Sequence, residues 1–107
     1  MNTEANVRPE LSKKNEYYIS KHRYYELKHL CLQYSSLKKE NPEDSRTKLI
    51  ELAAKNTSEE LMSYILLGVI TGCSYNILRV RYNIPCCQDT YYHLYRRFFW
   101  LLDQARG

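Results

Sequence analysis

Apolar residues return along this chain at helical spacing, and no segment shows the strict alternation of a half-buried strand. Tyr17, Tyr24, Leu27, Leu30, Cys31, Tyr34 and Leu37 form one stripe, and no Gly or Pro interrupts the stretch from Lys13 to about Lys39. With Ser12 as a cap, this predicts one long first helix. Asn41-Pro42-Glu43-Asp44 reads as the start of a second, because Asn caps, Pro suits a first turn and acids favour the positive end of the helix dipole. Thr57-Ser58-Glu59-Glu60 has the form of a capping box and opens a third helix through Leu61, Ile65, Leu66, Val69 and Ile70. Gly72 is placed to end it in the left-handed conformation. Ser74 caps a fourth helix from Tyr75 to about Tyr82, which Asn83 and Pro85 terminate. The last runs from about Gln88 to Gln104. The expectation is all-α: one helical domain over 1–107, a compact bundle of about five helices. Residues 1–11 form a flexible N-terminus, and 74–104 form a helix-turn-helix.

The last helix sorts by faces. Tyr91, Leu94, Tyr95, Phe98, Leu101 and Leu102 fall on one side and are expected to pack on Ile65, Val69, Ile77, Leu78 and Ile84. Gln88, Asp89, Tyr92, His93, Arg96 and Arg97 remain on the outward arc. Past Arg97 the run Phe98-Phe99-Trp100-Leu101-Leu102 is apolar all round and needs cover on every side, for which the first helix is available. A helix pair of this kind presents the front of its second helix to the DNA major groove while the first crosses the backbone. Arg79 and Arg81 would then meet phosphates, and Gln88, Tyr92, His93 and Arg96 would lie nearest base edges. Arg97 suits a phosphate or the rim, and Asp89 suits the helix cap. Each good forked Arg or Gln contact contributes about 1–3 kcal/mol of base discrimination. The competing reading is a plain helix corner with a solvated arginine pair. The loop Ile84–Gln88 is a little longer than the tightest turn of this class.

Charge shifts the balance modestly. The net charge of +4 is unevenly spread: residues 41–63 carry three cations and five acids, residues 64–107 five and two. Every cation in the last segment is Arg (79, 81, 96, 97 and 106), the residue best built for forked contacts to phosphate and guanine. Eleven of the 107 residues are Tyr, which suits half-buried helices whose hydroxyls reach water, with base stacking as the lesser reading. A chain of this length buries roughly two-thirds of its unfolded surface, enough for a core without staples. The uncharged run Leu61–Leu78 is broken by Ser63, Gly68, Thr71, Gly72, Ser74 and Asn76, so no membrane span is expected. The first residues lack the apolar region of a signal peptide, and a cytoplasmic location is expected.

Candidate chemistry is sparse. The four cysteines show no Cys-x-x-Cys spacing, so free thiols are expected and no zinc. His22, Glu26 and His29 share a helix face at spacings that occur in bundle metal sites, but Lys21, Arg23 and Lys28 beside them oppose a cation. Cys86-Cys87 precedes a helix start, where a thiol pKa can fall. Asp89 and His93 lie near in sequence, a weak case for a catalytic thiol. The expectation is no enzyme activity, no metal and no cofactor.

Three stretches carry a resemblance. Tyr18-Ile-Ser-Lys-His-Arg-Tyr-Tyr-Glu-Leu-Lys-His-Leu-Cys-Leu-Gln-Tyr, Tyr64-Ile-Leu-Leu-Gly-Val-Ile-Thr-Gly-Cys-Ser-Tyr and Ile84-Pro-Cys-Cys-Gln-Asp-Thr-Tyr-Tyr-His-Leu-Tyr-Arg-Arg-Phe-Phe-Trp-Leu-Leu resemble small proteins of phages and prophage-like elements of Gram-positive gut bacteria. The resemblance covers roughly 11–34 and 61–106. More distantly, Ser74 to Phe98 is similar to the sigma-factor region 4 helix-turn-helix of RinA- and ArpU-type phage late-gene regulators. That implies a transcriptional regulator binding double-stranded DNA, with the helix at Thr90-Tyr91-Tyr92 in the groove and a homodimer as one arrangement. The alternatives are a phage inhibitor of anti-CRISPR type that binds a bacterial host or defence protein, and a terminase small subunit.

Overall fold

The computed structural model describes residues 16–106. They form six α-helices and, among the described residues, no strand: α1 (Lys21–Leu32), α2 (Tyr34–Glu40), α3 (Ser45–Thr57), α4 (Met62–Thr71), α5 (Tyr75–Tyr82) and α6 (Gln88–Arg106). The expected flexible stretch 1–11 and the Ser12 cap lie outside the described residues.

The predicted first rod is shorter at its front and broken near its end. Residues 16–20 are turn and extended chain, and Ser20 is the cap, its hydroxyl accepting from the Arg23 amide at 3.1 Å. The break falls at Gln33, whose amide turns back to the Leu30 carbonyl, the tighter i→i−3 pattern of a helix end. No Gly or Pro marks the place. The break re-aims α2 so that Tyr34 and Lys38 both reach Glu51 of α3.

The start of α3 also moves. Asn41 makes a side-chain turn onto the Glu43 amide, and Asp44 is the cap, accepting from the Arg46 amide at 2.8 Å. The Arg46 guanidinium and these amide bonds hold the Asp44 carboxyl down at about 2. The folded state thus favours the ionised form. Its stabilisation is present above the usual carboxylate range and lost as pH falls towards about 2. Replacing Asp44 with Ala should lower Tm at neutral pH, and the gap from the parent should close on acidification. A gap independent of pH would show that Asp44 does not act as an ionised cap; circular dichroism melts across an acid series measure it.

The expected capping box at Thr57 does not form: Ser58 is the C-cap of α3, and the N-cap of α4 is Leu61, which makes no side-chain cap bond. Thr57 is buried as the last residue of α3, its hydroxyl donating to the Ala53 carbonyl, while Ser58 accepts from the Leu61 amide. Local chemistry works as expected at the next two corners. Gly72 ends α4 with φ 73°, Asn83 ends α5 with φ 56°, and Ser74 caps α5.

The spine of the fold is α6. Phe98, Phe99 and Leu102 are buried with Tyr24, Leu27, Leu30 and Cys31 of α1, Ile50, Ala53 and Ala54 of α3, and Ile65 and Val69 of α4. Cover for the aromatic run comes mainly from α3, with α1 and α4 beside it, so the first helix is not the principal clasp. Burial in this core pushes the Cys31 thiol up to about 12. Tyr24 and Tyr95 pair their hydroxyls at 2.9 Å, and Arg23 pairs with Asp103 to tie α1 to the end of α6. A second, smaller core holds Tyr75, Leu78, Ile84 and Tyr91 and joins α5 to the front of α6. Tyr24, Tyr34, Tyr75 and Tyr91 are thus buried in these cores, and Tyr25, Tyr64, Tyr92 and Tyr95 pack half-buried against them. Ile77 does not join them: it is 38% exposed, because Tyr75 and Leu78 already fill the buried side of this short helix.

Candidate nucleic-acid interface

The corner between α5 and α6 is fastened by Tyr75. Its hydroxyl donates to the Cys86 carbonyl at 2.5 Å, and its amide, an unpaired donor at the helix start, donates to the Tyr92 hydroxyl at 3.2 Å. Its ring also lies against Tyr91 and Tyr92. The face of α5 carrying Tyr75 therefore looks at the beginning of α6. Arg79 follows Tyr75 by one turn and shares that face. Leu78, three residues after Tyr75, shares its buried side and reaches Gly68 of α4. Arg81, two residues past Arg79, falls on the opposite flank. Both arginines are exposed and, among the described residues, take part in no ion pair or side-chain hydrogen bond.

The first turn of α6 is open. Gln88, Asp89 and Thr90 are exposed. The residue that caps this helix is Cys87, not Asp89: its carbonyl accepts from the Tyr91 amide, and its thiol lies 3.2 Å from the Thr90 hydroxyl. The Thr90 hydroxyl, then the amides of Thr90 and Asp89, lower the Cys87 thiol pKa, whereas desolvation raises that of Cys86. A cysteine is a weak acceptor, so the usual preference for Ser, Thr, Asp or Asn at a cap pointed to Asp89 instead.

Beyond that turn the outward arc is less free than its sequence suggests. Tyr92 is half-buried and spends its hydroxyl on α5. His93 is exposed, but its ring stands 5.4 Å from that of Tyr17. Tyr17 also lies against Trp100, and Arg97 donates to both the Tyr17 hydroxyl at 3.2 Å and the Asn56 carbonyl at 3.4 Å. His93, Arg97 and Trp100 follow one another at i, i+4 and i+7, one face of α6, and the segment before α1 crosses that face. Arg96 is half-buried and already engaged within the chain. Of the seven candidate residues, Arg79, Gln88 and His93 are exposed, His93 on the face that Tyr17 crosses. Arg81 is accessible on another flank, while Tyr92, Arg96 and Arg97 serve the fold. No sequence signal pointed to Tyr17 as the covering residue, since its stripe spacing made it part of a helix.

The remaining candidates are quiet. His22, Glu26 and His29 border an open cleft of about 640 Å³ along α1 together with Lys21 and Tyr25. Arg23, donating to Glu26, lowers that carboxyl's pKa. Among the described residues no group of three or more His, Cys, Asp or Glu side chains is placed to share a metal ion. No helix among them is long and apolar enough to cross a membrane. Comparison with family models, with curated proteins and with solved structures finds no match for this chain.

Proposed function

We propose that this chain binds double-stranded DNA through the α5–α6 corner, used as a helix-turn-helix, and acts as a transcriptional regulator of the phage type its sequence resembles. The observation that carries the reading is an exposed guanidinium, Arg79, without an ion pair among the described residues, one turn past Tyr75, which packs on Tyr91 and Tyr92 just behind the open helix start Gln88–Thr90. Residues 61–88 contain no Asp or Glu, so nothing on α5 repels a phosphate. Arg79 takes the backbone, and Gln88 with His93 lies at base edges. Asp89 is the one feature that opposes phosphate, and it restricts how deeply the helix start approaches the strand.

The test is fluorescence anisotropy on duplexes selected from a randomised pool, read at several salt concentrations. Binding should weaken steeply with salt. Replacing Arg79 with Ala should reduce the salt slope by about one, the release of one phosphate contact. Gln88→Ala should instead relax base preference at one position. Binding that ignores salt, or a slope untouched by Arg79→Ala, would sink this reading.

A further inference from the structure

The outward side of α5 has a character that DNA contact does not explain. Only Tyr75 and Leu78 of its eight residues are buried. Ile77, Val80 and Arg81 stand at i, i+3 and i+4, so they form one continuous face. Val80 is 80% exposed and Ile77 38%. A β-branched residue in a short helix loses side-chain freedom and has mediocre helix propensity. In water Val80 gains no packing in return.

Charge identifies what would cover this face. Arg81 is exposed and makes no ion pair among the described residues, and residues 61–88 offer no acid to answer it. Two copies of this chain meeting symmetrically through α5 would bring their arginines into one desolvated patch with no carboxylate on that helix. A phosphate backbone satisfies Arg81 but leaves the methyl groups of Val80 and Ile77 against charged oxygens. An amphipathic helix with an apolar row flanked by carboxylates satisfies both. We propose that the Ile77–Val80–Arg81 face of α5 docks an acidic amphipathic helix of a partner protein. The proposal does not depend on DNA binding, because Arg79 and the start of α6 lie on another flank.

The test uses the full chain and three labelled helical peptides: one with a leucine row flanked by glutamates, one flanked by lysines, and one glutamate-flanked with its leucines replaced by serine. The first should bind at least about tenfold more tightly than either of the others. Val80→Ser and Arg81→Glu should each weaken it by about tenfold, while Arg79→Ala leaves it unchanged. Both substitutions fall at exposed positions, and unchanged melting curves verify that the fold is kept. Equal binding of all three peptides, or indifference to Val80→Ser, overturns the proposal. So does self-association that Val80→Ser abolishes, since the occupant is then a second copy. If Val80→Ser weakens duplex binding as strongly as Arg79→Ala does, the face belongs to the DNA surface and the proposal again falls. Loss of duplex binding alone, with peptide selectivity intact, removes the DNA reading and leaves this one standing.

Discussion

Replacing Phe99 or Phe98 with Ala should destabilise the protein by about 3–5 kcal/mol, the cost of a large cavity in a packed core. Trp100→Ala should cost less than half as much. The three are adjacent and equally apolar on paper. Phe98 and Phe99 are fully buried where α6 meets α1, α3 and α4, while Trp100 is half-buried beneath Tyr17. Phe99 also meets Tyr24, Tyr95 and Phe98 edge-on, with ring centres 4.9 to 5.2 Å apart. Such contacts add about 0.5–1.5 kcal/mol to the area term. A domain of this size has only about 5–15 kcal/mol to lose, so either phenylalanine variant should be partly unfolded in moderate denaturant. Urea titrations followed by circular dichroism measure all three. A Trp100→Ala loss equal to that of Phe99→Ala would contradict α6 as the spine.

Gly68→Ala should be the most damaging addition of a single methyl group. Gly68 is buried in the middle of α4, and a Cβ there would run into the Tyr91 hydroxyl, with the Leu78 side chain already at 3.4 Å. Helix propensity favours Ala over Gly by nearly 1 kcal/mol, yet overpacking costs about 1–3 kcal/mol or more and should win. The same hydroxyl is itself a liability: it is buried without a hydrogen-bond partner among the described residues, and desolvation raises its pKa. Tyr91→Phe should therefore be neutral or stabilising, because it removes an unsatisfied buried group worth about 1–3 kcal/mol. The double variant Gly68→Ala/Tyr91→Phe should recover most of the loss, giving a coupling of about 2 kcal/mol. Strict additivity in the four-protein cycle would show that the two groups do not meet.

The candidate interface was only partly legible. Spacing puts Arg79 and Gln88 on the outward side of their helices, and both are exposed. Arg97 and Tyr92 were singled out by the same arc and are used internally. A helical wheel reports which residues share a face but not what crosses that face. Tyr17, eighty positions from Arg97, does the crossing. The exposed row Ile77–Val80 was missed for the complementary reason. Hydrophobic residues invite a core assignment, but a helix of eight residues has one buried side, and Tyr75 with Leu78 had taken it.

What the chain determined alone is what a few neighbouring residues decide: the helical class, the left-handed stops at Gly72 and Asn83, and the Ser74 cap. Those depend on backbone sterics and on hydrogen bonds that span at most six residues. The break at Gln33, the shift of cover from the first helix to α3, and the sorting of arginines into engaged and free belong to the tertiary structure. Each is settled by a partner distant in sequence: Glu51 for Tyr34, Ile50 with Ala53 and Ala54 for Phe98 and Phe99, Tyr17 for Arg97. A side chain's neighbours in space become known only when the helices have packed.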